Sequence, residues 1–121
     1  MITIDEVVTK LYGKLKVLDI PVWKYRSPLN HKGTFIVINP LTLQGRVEQQ
    51  GVFNVNLYTD NNSNGTPNSV ELNKYAKQII DIVDNDWSKS ELIEYQQSGY
   101  LYEETQTFIN TRVNYRKLNY K

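Results

Sequence analysis

The stretch GVFNVNLYT, residues 51–59, decides how the chain is read. Phe53, Val55 and Leu57 alternate there with Asn54, Asn56 and Tyr58. A side-chain period of two marks a strand with one buried and one polar face. Upstream, TFIVIN at 34–39 is apolar at nearly every position. Such a strand needs cover on both faces, helices on one side and something else on the other, and is expected at the centre of the sheet. Gly45 or Gly51 is placed to turn or bulge the chain between the two.

On either side of this strand pair the period changes from two to that of a helix. Ile4, Val7, Val8, Leu11, Tyr12, Leu15 and Leu18 recur at the three and four spacing of one helical face. Thr3 and Glu6 stand as N-cap and N3 of a capping box. Leu72, Ala76, Ile79, Ile80 and Val83 form a second stripe, with Lys77 and Asp81 on its wet side, and predict a helix from Asn68 or Val70 to Asp84. PVWKY, opening on Pro21, reads as a short edge strand. LIEYQQ and TQTFINTRVNYRKL read as two further strands joined near Gly99. The expectation is one α+β domain over residues 1–121, with a mixed or mainly antiparallel sheet of about four to five strands and two main helices packed on one face.

Composition narrows the function classes. A chain of 121 residues is one domain by size and large enough to bury a core. Fourteen Lys and Arg against 13 Asp and Glu leave no long-range field for a polyanion, so direct nucleic-acid binding is not expected. With no cysteine, disulfides, thiol nucleophiles and Cys-based zinc motifs are excluded. The N-terminal residues are not those of a signal peptide, and no run approaches the ~18 apolar residues of a membrane span. A protein made in the cytoplasm is expected.

One motif raises a specific chemistry. Asp60, Asn62, Asn64, Gly65 and Glu71 fit the calcium-loop pattern D-x-[DN]-x-[DN]-G-x5-E. A strand precedes them where an entering helix belongs, only Asp60 and Glu71 carry charge, and Pro67 has no N–H to bridge a partner loop. The same residues make a turn capped by Asn68 with Glu71 at N3. That second reading is the expected one, with no metal.

His31, the only histidine, sits in a polar loop and reads as solvated rather than catalytic. Asp81, Asp84 and Asp86 could share a proton or a metal, but their spacing is also that of a polar helix end. Glu103 and Glu104 are adjacent and would point to opposite faces of a strand. There is no phosphate loop, dinucleotide fingerprint or G-x-S-x-G turn.

The features that remain point to assembly. Tyrosine occurs nine times, and Tyr and Arg are enriched at protein interfaces. On the last strand Arg112 and Arg116 alternate with Asn110 and Asn114 on one polar face. Arg46, Glu48, Tyr102, Arg112 and Arg116 are the expected interface residues, with 46–51 and 60–68 as mobile loops that order on docking.

The order of an amphipathic helix (ITIDEVVTKLYGKL), a strand pair (TFIVIN and GVFNVNLYT), a polar loop, one long helix (VELNKYAKQIIDIVD) and a strand-rich tail ending FINTRVNYRKL resembles the tail terminator, or tail completion, proteins of long-tailed bacteriophages and prophages. The resemblance implies a structural, non-enzymatic α+β subunit that assembles as a homo-oligomeric ring, commonly hexameric. Such a ring caps the tail tube and joins tail to head, with tail tube and head–tail connector proteins as partners and the virion tail as its place. It implies no catalytic residue and no cofactor. The alternative is a small non-enzymatic binding or adaptor domain, with calcium at residues 60–71.

Overall fold

The computed structural model describes residues 1–84, 86–88 and 90–119. Its elements run α1 (Ile4–Leu15), β1 (Val22–Lys24), β2 (Phe35–Gln44), β3 (Glu48–Asp60), α2 (Ser69–Val83), β4 (Asp86–Ser88), β5 (Glu91–Tyr102) and β6 (Gln106–Leu118). The strands form one sheet in the order β1-β2-β3-β6-β5-β4. Only the β1–β2 pairing is parallel, so the sheet is mixed and mainly antiparallel. Four long strands carry it, with a three-residue strand at each edge. The domain is α+β, as the periodicities indicated.

Both helices begin where side chains satisfy their first N–H groups. Thr3 Oγ1 accepts from the Glu6 N–H at 3.1 Å, and Glu6 Oε1 accepts from the Thr3 N–H at 3.1 Å. Asn68 Oδ1 accepts from the Glu71 N–H at 3.3 Å and starts α2. Val7, Val8, Leu11 and Leu15 of α1 and Leu72, Tyr75, Ile79 and Val83 of α2 then enter one core with Ile36, Ile38, Phe53, Val55, Leu57, Val113 and Tyr115. Both helices therefore cover the same sheet face. Each such side chain, fully buried, stabilises the fold by roughly 1.5–3 kcal/mol relative to exposure.

Polar anchors fasten α1 and the N-terminus to the sheet. Lys10 on α1 pairs with Glu91 on β5 at 2.8 Å, and the same carboxylate accepts from the Tyr115 hydroxyl. Burial pushes the Glu91 carboxyl up, but the hydrogen bonds from Lys10 and Tyr115 and the Lys10 and Lys117 charges outweigh it and hold it below the usual value. Burial, then the Glu91 contact, raises the Tyr115 hydroxyl far above the ordinary tyrosine range. Gln49, 3% exposed, donates from Nε2 to the Ile2 carbonyl and accepts the Ile2 N–H at Oε1, at 3.0 and 2.9 Å.

Three expectations need correction. The centre of the sheet is the β3–β6 pair, in register from Glu48↔Leu118 to Asp60↔Gln106, while β2 lies one strand from the edge. The second cover that β2 requires comes from the loop before it, whose His31 ring stands edge-on against Phe35 at 4.7 Å. Residues 48–51 belong to β3 rather than to a loop. The turn is confined to 45–47, where Gly45 takes φ +97° and any Cβ would lie 2.0 Å from the Glu48 carbonyl oxygen. Asn119 closes that turn by donating to the Arg46 carbonyl at 2.7 Å.

Finally, Gly99 lies inside β5, and the β5–β6 turn comes at 103–105. A bulge between Tyr95 and Gln97 shifts the strand, whose second half then runs on with mostly exposed side chains. With little apolar burial required there, QQSG reads as a turn although the chain remains extended.

Candidate functional site

Among the described residues the sheet face opposite the helices has no covering layer beyond the 25–33 loop, and its register sorts it into cross-strand rows. Phe35, Tyr58, Phe108 and Leu101 form the first; Val37, Asn56, Asn110 and Gly99 the second; Asn39, Asn54, Arg112 and Gln97 the third. Thr42, Val52, Asn114 and Glu94 follow, then Gln44, Gln50, Arg116 and Leu92. Each row places side chains about 4.5–5.5 Å apart, close enough to interact directly.

The first row is aromatic. Phe35 and Tyr58 stack with centroids 4.9 Å apart and planes 7° apart, and Tyr58 stacks on Phe108 at 4.8 Å. Trp23 and His31 extend the row past β2 with edge contacts at 5.7 and 4.7 Å. His31 is thus half-buried among rings rather than solvated in its loop. Burial first, then the Glu103 charge, raises the Tyr58 hydroxyl above its usual value, so it stays a neutral donor.

The next rows are amide-rich. Asn110 Nδ2 donates to Asn56 Oδ1 at 2.7 Å and to Asn54 Oδ1 at 3.0 Å, tying β6 to β3 through side chains. Arg112 lies beside this cluster with its Nε buried and without a hydrogen-bond partner. Thr42, Gln44, Gln50, Glu94, Asn114 and Arg116 bound a polar concavity of ≈ 370 Å³ at the far end of the face. Gly51 also lines it, and only glycine fits there, since a Cβ would come within 2.5 Å of the Thr42 carbonyl oxygen.

Of the expected interface residues, three share this face. Arg116 pairs with Glu48 across β6 and β3, and its guanidinium is held more basic by that hydrogen bond and charge. Arg112 stands in the third row. Arg46 projects from the adjoining 45–47 turn. Tyr102 is elsewhere: its register partner Thr107 is buried on the helix side, and its hydroxyl donates to the Gly65 carbonyl at 2.7 Å, bracing the 61–67 turn.

The calcium-pattern residues do not converge on one point. Asp60 Oδ2 accepts from the Gly33 N–H at 2.9 Å, Asn62 Nδ2 donates to Thr66 Oγ1, Asn64 Oδ1 accepts from Thr66, and Glu71 Oε2 accepts from Thr34 Oγ1 at 3.2 Å. Each has a structural task in the turn or the helix cap. Asp84 caps α2 and accepts the Tyr95 N–H at 3.3 Å, while Asp81 is exposed and the Asp86 side chain falls outside the described residues. Glu103 and Glu104 lie in the β5–β6 turn. Among the described residues no three His, Cys, Asp or Glu side chains gather as metal ligands.

Sequence reasoning found the Asn-rich face but missed the aromatic row. Asn at alternate positions is visible in FNVN and INTRVN, whereas Phe35, Tyr58 and Phe108 become neighbours only once two strand registers are set.

No family model matches the chain, and no curated protein does. Fourteen solved chains are similar to it. One of them, a structure that bears no functional name, has 12% sequence identity and a TM-score of 0.58, with 97% of each chain covered. At that identity the likeness establishes the fold alone.

Proposed function

We propose that this chain is a structural subunit of a long-tailed bacteriophage or prophage: a tail terminator or tail completion protein that forms a ring on the tail tube and joins tail to head. The observation that supports it best is the open sheet face. A layer of two helices stabilises the opposite side, while the free side carries an aromatic row, a hydrogen-bonded Asn cluster and an Arg–Glu pair. Such a face is stiff before anything docks on it, which limits the ordering that assembly requires. The element order that underlies the resemblance is also the order of the fold. A head-to-tail ring needs two different contact surfaces on each subunit, and the open face with its 45–47 turn and the exposed parts of the helix layer are two such surfaces.

In this role the protein performs no chemistry. Arg112, Arg116 and Glu48 orient the neighbour through charge and hydrogen bonds, and the part-exposed rings of Tyr58 and Phe108 supply apolar contact. Among the described residues no helix is long and apolar enough to cross a membrane, which fits such a subunit.

The test is the native mass of the purified chain by size-exclusion chromatography with light scattering, imaged by negative stain, with calcium and with chelator. A closed ring that forms in both conditions is the expected result. A monomer that also fails to bind isolated tail tubes would overturn the reading and favour an adaptor whose ligand sits in the ≈ 370 Å³ concavity.

A further inference from the structure

The strand edge formed by the second half of β5 is a contact surface of its own. Among the described residues β4 pairs with β5 only at Glu91, Leu92 and Ile93. Beyond it, the Glu103 N–H donates to the Gln106 carbonyl and so faces β6. Counting back by twos, Leu101 and Gly99 also face β6, whereas Tyr102, Tyr100 and Ser98 turn their backbone N–H and C=O groups outward. No backbone group of the described residues bonds to them there.

This edge lacks the usual protection. Soluble proteins blunt a free edge with charge, proline or a covering segment. Residues 95–102, YQQSGYLY, contain no charge in a chain that is 22% charged. Tyr100, Leu101 and Tyr102 are 57%, 51% and 53% exposed, and they are the only three consecutive large apolar residues so exposed among those described. β2, at the other side of the sheet, is blunted by Pro40 and a bulge between Pro40 and Thr42.

We propose that this edge pairs with the same edge of a second copy of the chain, antiparallel about a two-fold axis at Tyr100. The sequence around Tyr100 is self-complementary in size. In that register Ser98 faces Tyr102 of the second copy, Gly99 faces Leu101, and Tyr100 faces Tyr100, so small stands opposite large on both sides of the axis. Over Gly99 an added Cβ would meet only the Asn110 Cβ, at 3.9 Å, which leaves room for the Leu101 side chain. Gln97 faces Glu103, an amide against a carboxylate. Self-pairing places identical residues near each other, so an uncharged centre is required, because like charges directly opposite destabilise a strand pair. The three outward-facing residues of each copy exchange about six backbone hydrogen bonds. The contact is isologous and separate from the head-to-tail contacts of a ring, so it does not depend on the function proposed above.

The cysteine-free chain makes a direct test possible. Tyr100→Cys places two sulfurs on the axis, at a Cα separation of about 5.5 Å that a disulfide spans. Mild oxidation should join Y100C chains into covalent dimers. S98C should not join to itself but should join to Y102C when the two are mixed and oxidised. In parallel, Tyr100→Lys, at an exposed site that leaves the core intact, should weaken two-fold association at least ten-fold by light scattering while the circular dichroism stays that of the wild type. S98C self-linking as fast as Y100C, no Y100C dimer, or a Y100K variant that associates like the wild type would each overturn the proposal.

Discussion

β3 and β6 present two surfaces built from alternate residues of the same two strands. On the helix side Phe53, Val55, Leu57, Val113 and Tyr115 are at most 1% exposed. On the open side Asn54, Asn56, Asn110, Arg112 and Asn114 occupy the alternate positions, mostly half-buried among themselves. The covered face holds the fold together by removing apolar area from water. The open face adds order through directional bonds whose net worth is small, because water satisfies the same groups in the unfolded chain. Most of the stability thus comes from one side of the sheet, and the other side is left to polar and aromatic order.

Substitutions on the two faces should separate these roles. Phe53→Ala, at a fully buried site on the covered face, should lower unfolding stability by about 3–5 kcal/mol in urea titration. A loss below about 1 kcal/mol would place the stabilising core elsewhere.

Glu91→Gln tests the joint between α1 and the covered face, and should lower stability by about 1–2 kcal/mol at neutral pH. Because the Glu91 carboxyl is held below its ordinary 4.5, its contribution is complete above that value and is lost as the pH falls through the folded-state value. The gap between wild type and E91Q should therefore close on acidification. A gap that widened in acid would reverse the assigned sign.

On the open face, Asn110→Ala removes the amide that joins Asn54 and Asn56, and should lower stability by about 1 kcal/mol. A loss equal to that of Phe53→Ala would erase the contrast between the faces. The smallest effect is expected from Arg116→Ala, which should leave the unfolding midpoint where it is, since its pair with Glu48 is solvent-exposed. If the chain assembles as proposed, the same variant should slow that assembly in low salt and lose the effect in high salt.

Much of the fold was legible because its signals are local. The Thr3–Glu6 capping box, the Asn68 cap, the helical stripes and the alternation in GVFNVNLYT depend on neighbours within a few residues. The errors share a cause in non-local structure. Gly99 reads as a turn because QQSG lacks an apolar pattern, but that half of β5 is held extended by pairing with β6. Residues 46–51 read as a loop because Gln and Gly break the alternation, yet Gln49 is buried against the backbone of Ile2. His31 reads as solvated until the chain reversal after β1, with Asn30 at φ 57°, brings it onto Phe35. Arg112 and Arg116 were placed on one face by strand period, whereas Glu48, read as a loop residue, joins them only through the β3–β6 register, and no local signal shows that Tyr102 braces Gly65.

The sequence by itself determined the element types, the two helix starts and which strand faces are apolar, because side-chain period and capping are properties of a short segment. Only the tertiary structure decided which strands lie side by side, that Phe35, Tyr58 and Phe108 stack in one row, and that the outer edge of β5 is left open. Those depend on register and strand order, which couple residues far apart in the chain and are set by how the whole sheet closes over one core.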